Sequence, residues 1–74
     1  PFAMFLNLTT YDGRRLRVAL DKITSYSESG SGFNGKSVVT FEEGNTNPSF
    51  AEVADSIDDI DAQIAKMTAI TELQ

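Results

Sequence analysis

MFLNLTTYDGRRLRVAL, residues 4–20, alternates apolar and polar residues on either side of Asp12-Gly13. An Asp-Gly pair between two such runs predicts a β-hairpin. Its tight turn is Tyr11-Asp12-Gly13-Arg14, of the type I′ class that needs positive φ at both central residues. Side chains alternate across a strand, so Met4, Leu6 and Leu8 share one face of the first strand. Leu16, Val18 and Leu20 share one face of the second. The opposite faces carry Asn7, Thr9, Arg15 and Arg17, with Phe5 as the exception.

Outward from the hairpin, Asp21-Lys22 marks a bend or bulge before a short third strand rich in strand formers, Ile23, Thr24 and Tyr26. Residues 28–35 then read as a flexible Gly-rich loop with three glycines, in which Phe33 is the single large apolar group. Phe33 either folds back onto the core or stays exposed as a contact residue. Lys36 to Phe41 is a β-branched and aromatic run of strand length. Glu42-Glu43-Gly44-Asn45 reads as the next turn. Asn47-Pro48 delays the following strand, because proline lacks a ladder donor. Ser49 to Val53 is expected as a short edge strand with Phe50 packed inward.

Beyond Ala54 the apolar period changes. Ile57, Ile60, Ile64 and Met67 recur at helical spacing, and Ala62, Ala65 and Ala69 favour helix between them. Ser56 with Asp59 resembles a capping box, and Asp58, Asp59 and Asp61 sit where the helix dipole favours negative charge. A helix over about 57–72 follows. Its stripe spans barely two heptads, so packing on the sheet is favoured over a coiled-coil seam. The fold class expected is α+β: one domain, an antiparallel β-meander of four to five strands with one C-terminal α-helix packed on the sheet.

A chain of 74 residues without cysteine has no disulfide or thiolate metal site to supplement its core. No run of about 18 apolar residues occurs, so no membrane span is expected. The opening residues lack the basic flank and cleavage region of a secretory signal, which makes a cytoplasmic location in a bacterial or phage-infected host cell the expectation. The charge of −5 is unevenly placed: residues 1–41 carry +2 and residues 42–74 carry −7. The two halves can therefore attract each other, within one copy or between copies, and the overall acidity argues against nucleic acid.

Gly30-Ser31-Gly32-Phe33-Asn34-Gly35-Lys36-Ser37 fits GxxxxGKS, the lettering of a phosphate-binding loop. In that motif Gly30 and Gly35 would free backbone amides for phosphate, Lys36 would meet the terminal phosphates and Ser37 would reach Mg²⁺. The motif needs a helix directly after it, however, and Val38-Val39-Thr40-Phe41 favours a strand. Nucleotide hydrolysis is thereby set aside, and an anion held by the loop amides and Lys36 is a weaker alternative. Asp55, Asp58, Asp59 and Asp61 suit a solvated helix start better than a Ca²⁺ site, which wants six or more oxygens from a bent loop. With no histidine and no cysteine, the usual general base and activated nucleophile are missing. No catalytic residue, metal site or cofactor is expected.

Leu8-Thr9-Thr10-Tyr11-Asp12-Gly13, the alternating Leu16 and Val18, Ile23, Ser37 to Phe41 with Gly44, and Asp55-Ser56-Ile57-Asp58-Asp59-Ile60 together resemble the FlbD-type small flagellar proteins and their short phage-encoded relatives. The resemblance implies a small β-meander followed by a helix, with no catalytic residues. The expectation is a non-catalytic protein-binding or regulatory module, a phage-type accessory protein that binds and modulates or inhibits a host protein. Its expected contacts are the acidic helix face (Asp55, Asp58, Asp59, Asp61), Phe33 in the loop, and the basic hairpin (Arg14, Arg15, Arg17). Alternatives are a self-assembling homodimer or higher oligomer, and a phosphate- or nucleotide-binding protein using Gly30 to Ser37.

Overall fold

The Asp12-Gly13 signal closes a hairpin, but with a wider turn than type I′. The structure, a computed structural model, describes residues 4–42, 44 and 47–73, the side chains of 69–73 excepted. Strand β1 (Phe5–Thr9) pairs antiparallel with β2 (Arg15–Ala19), placing Leu6 opposite Val18 and Leu8 opposite Leu16. The Gly13 N–H donates to the Thr10 carbonyl at 2.9 Å, and the Thr10 N–H donates to the Arg14 carbonyl at 2.8 Å. Gly13 has φ of +90°, whereas no described non-glycine residue, Asp12 included, has a positive φ. The loop thus holds one left-handed residue rather than two, as in a three-residue turn with a glycine bulge. Side chains favour this wider form: the Thr10 hydroxyl donates to the Asp12 carboxylate and accepts the Arg14 N–H at 2.9 Å. Arg14 Nε donates to the same carboxylate at 3.0 Å.

The bend expected at Asp21-Lys22 is a single 3₁₀ turn, Leu20–Lys22. It splits the meander into two sheets, β1-β2 and a three-stranded sheet in the order β3-β4-β5. Strand β3 spans Ile23–Glu28, β4 spans Ser37–Phe41 and β5 spans Ser49–Val53, all pairs antiparallel, with a bulge between Ile23 and Ser25. The two ends of the meander meet. Thr10 bridges to Val53, the Tyr11 N–H donates to the Glu52 carbonyl at 3.0 Å, and the Ala54 N–H donates to the Thr9 carbonyl at 2.8 Å. The sheets curl around a core of Leu6, Leu8, Val18, Val39, Phe41, Val53 and Ile60. Gly44, in the expected turn after β4, has φ of +61°; its expected partners Glu43 and Asn45 lie outside the described residues.

Helix α1 (Ile57–Leu73) begins where the period changes. The Ser56 hydroxyl accepts the Asp59 N–H at 3.1 Å, the cap expected from the sequence. Ile60 is fully buried, and Ile64 and Met67 pack partly against the core, so the stripe lies on the sheet. Polar contacts then lock the helix and the residues just before it to β1. The Gln63 amide accepts the Asn7 N–H at 2.6 Å and donates to the Asn7 carbonyl at 3.0 Å. The Asp55 carboxylate accepts the Thr9 N–H at 2.7 Å. Asn7 and Thr9 turn these groups away from β2, so the Gln63 and Asp55 side chains occupy what would be an open strand edge, a place where foreign strands pair.

Strand β5 corrects one expectation. Val53 and Ala51 point inward, and Phe50 faces out with 61% of its surface exposed. Gly35 packs closely against the end of this strand. It has φ of +76° and lies directly against the Val53 backbone, where a Cβ would overlap the carbonyl oxygen and sit 3.0 Å from the carbonyl carbon. The Lys36 N–H donates to that same Val53 oxygen at 2.8 Å. The register pairs Val53 with buried Ser37 and Ala51 with buried Val39, so strand alternation sends Phe50 to the opposite face.

Candidate protein-binding surface

Alternation gives the three-stranded sheet two unlike faces. Tyr26, Val39, Phe41, Ala51 and Val53 face the core. The outer face carries two cross-strand rows, Ser27–Val38–Glu52 and Ser25–Thr40–Phe50. The loop that begins after β3 bends over this face. Phe33 meets Phe50 edge to face, the ring centroids 6.2 Å apart and the planes at 84°. That geometry suits the quadrupoles of two aromatic rings. Phe33 nevertheless stays 48% exposed, so the two rings form an outward pair rather than part of the core. Between them and Val38, Thr40, Pro48 and Ser49 lies a shallow groove of about 180 Å³. The loop is fastened beside the rings, because the Asn34 N–H donates to Glu52 Oε1 at 2.9 Å.

The residues singled out from the sequence are scattered by the fold. Phe33 lies in the groove. Arg15 and Arg17 are exposed on β2, at the hairpin, and Arg14 is paired with Asp12 across the turn rather than with the helix. Asp58 and Asp59 are exposed in the first turn of α1. Asp55 and the exposed Asp61 have partners within the chain: Asp55 accepts the Thr9 N–H, and Asp61 accepts the Tyr26 hydroxyl. That bond to a carboxylate raises the Tyr26 pKa above its ordinary value, assisted by desolvation and the negative charge of Asp61. The bond from Thr10 lowers the Asp12 pKa; desolvation opposes it, and the nearby Arg14 cation lowers it further.

The phosphate-loop lettering runs into β4, as the β-branched residues require. Gly35 is spent on its approach to Val53, and Ser37 is fully buried, its hydroxyl without a hydrogen-bond partner among the described residues. Gly30 and the Lys36 side chain are exposed, with Lys36 beside Glu28, Ser56, Ile57 and Asp58 at an open depression near the helix start. Among the described residues no group of three or more acidic side chains is placed to hold a metal ion. No described helix is long and apolar enough to cross a membrane.

Sequence reasoning missed Phe50, Val38, Pro48 and Glu52 as surface partners of Phe33. The alternation of Ser49 to Val53 was legible, but not which of its two phases faces the core. No family model matches the chain, and no curated protein or solved structure matches it either.

Proposed function

We propose that this chain is a non-catalytic protein-binding module that regulates the protein it contacts, as a phage-type accessory protein acts on a host protein. The observation that carries this reading is the exposed Phe33–Phe50 pair. Two large rings left half in water and side by side offer apolar area that a partner gains by covering. The pair also sits on a sheet, a rigid support, with its loop tied down by Glu52. The FlbD-type resemblance points the same way, towards a small module without catalytic residues. The acidic helix start and the basic hairpin are secondary contacts in this reading.

The test is affinity capture from a bacterial lysate with the wild-type chain and with the double variant Phe33→Ser/Phe50→Ser, quantified by mass spectrometry. The expected result is a protein recovered by the wild type and lost with the variant. Equal recovery by both, with the variant folded by circular dichroism, refutes the assignment of the surface. A self-assembling subunit is the second reading, since the same exposed rings suit pairing between copies. Light scattering over a hundredfold concentration range separates the two readings, and a strict monomer removes the second.

A further inference from the structure

Resting on the protein-binding reading, we infer that the Phe33–Phe50 groove takes an arginine side chain from an extended segment of the partner. The ring pair supplies a π surface, and Glu52 supplies a carboxylate fixed next to it by the Asn34 N–H at 2.9 Å. Arginine fits both. Its aliphatic stem lies on apolar rings, its planar head stacks on aromatic faces, and its charge meets a carboxylate. The rest of the outer face is neutral over Ser25, Ser27, Val38 and Thr40, so nothing there opposes a cation. Glu42, exposed one alternation beyond Thr40, lies at the same end of β4, where its N–H donates to the Lys22 carbonyl at 3.0 Å. The cation of Lys36 sits at the other end of β4 among Glu28 and Asp58.

A second copy suits the groove less well. Two rings of which about half remains exposed offer roughly 100 Å² each. Stable interfaces bury about 800 Å² per partner. Face-to-face pairing of this patch would also bring the Glu52 carboxylates of two copies, each of charge −5, towards one another.

The test uses three pentapeptides, acetyl-Gly-Leu-X-Leu-Gly-amide with arginine, citrulline or glutamate at X, titrated against backbone amide NMR signals of the full chain. Citrulline keeps the shape of arginine and removes its charge. The arginine peptide is expected to shift the amides of Phe33, Asn34, Phe50 and Glu52. It should bind about fivefold more tightly than the citrulline peptide, the glutamate peptide giving no shift there. Glu52→Gln keeps an acceptor for Asn34 and should bring the arginine peptide to the citrulline level. Equal binding of the arginine and citrulline peptides, no shift at the groove with any peptide, or self-association through the groove overturns the inference. A capture that depends on Phe33 and Phe50 alongside equal peptide affinities keeps the binding module and removes the arginine.

Discussion

Gly35→Ala is expected to destabilise the fold far more than Gly32→Ala, although both glycines have positive φ, +76° and +89°. A left-handed backbone costs an L-residue about 1–2 kcal/mol, a penalty common to both variants. At Gly32 nothing lies within 4 Å of the added methyl. At Gly35 the methyl overlaps the Val53 carbonyl oxygen, and the backbone nitrogen of Val53 is 3.3 Å away. The obstacle is backbone in a strand, not the tip of a flexible side chain. Relief therefore requires the backbone leading into β4 to pull away from the end of β5, at about 1–3 kcal/mol by analogy with overpacked cores. It also strains the Lys36 N–H bond to the same oxygen. A domain of this size has a total stability of about 4–11 kcal/mol, so Gly35→Ala removes a large share of it. Urea unfolding followed by far-ultraviolet circular dichroism measures both variants. With a slope near 1 kcal/mol/M, Gly32→Ala lowers the midpoint by about 1–2 M and Gly35→Ala by a further 1–3 M, roughly. Equal midpoints for the two variants would refute the close approach as the reason for glycine at 35. They would leave the phosphate-loop lettering without the explanation offered for it.

Ile60→Ala leaves a cavity at the fully buried helix–sheet contact, and a loss of about 2–5 kcal/mol is expected in the same assay. Gln63→Ala deprives the Asn7 N–H and carbonyl of both partners; since Asn7 is exposed and water can replace them, the expected loss is about 1 kcal/mol, with faster amide exchange at Asn7. Phe50→Ser removes a largely exposed ring and its edge-to-face contact with Phe33; a loss of about 0.5–1.5 kcal/mol is expected, which a midpoint shift above about 2 M would contradict. Asp12 and Tyr26 act at opposite ends of the pH scale. The lowered Asp12 pKa means its contribution is present above 3.8 and is lost as pH falls through the folded value. The raised Tyr26 pKa means its contribution is full below 10.0 and is lost as pH rises through the folded value. An Asp61→Asn variant should lower the Tyr26 titration midpoint measured by ultraviolet absorbance, and an unchanged midpoint counts against the bond.

Local signals carried most of the architecture. Asp12-Gly13 marked the hairpin, Asp21-Lys22 the bend, Val38-Val39-Thr40-Phe41 the strand behind the phosphate-loop lettering, and Ser56 the helix start. Each is a choice made by neighbouring residues, so a few letters suffice to read it. The details that failed were settled from a distance. Asp12-Gly13 suits type I′, but Thr10 and Arg14 bonds to Asp12 select the wider turn. Phe50 is the largest apolar residue of its strand, yet the register with β4 puts Val53 and Ala51 on the core face and turns Phe50 out. The aspartates looked alike in sequence; packing gave Asp55 and Asp61 internal partners and left Asp58 and Asp59 in water. The candidate groove was half legible, because Phe33 stood alone in its loop and its companions lie on strands whose facing the pattern leaves open.

The apolar stripe of α1 is nearly self-similar along its axis. Sliding the helix by one turn would bring Ile64 to the place of Ile60, and Ile60 to about that of Ile57, with little loss of greasy contact. Gln63 breaks that degeneracy. Only a side chain that donates one hydrogen bond and accepts another can answer both backbone groups of Asn7. One turn away on either side stand Asp59, which when ionised can only accept, and Met67, a weak acceptor at best. The amide thus works as an index mark, selecting one seating among several that hydrophobicity alone would rate as equals.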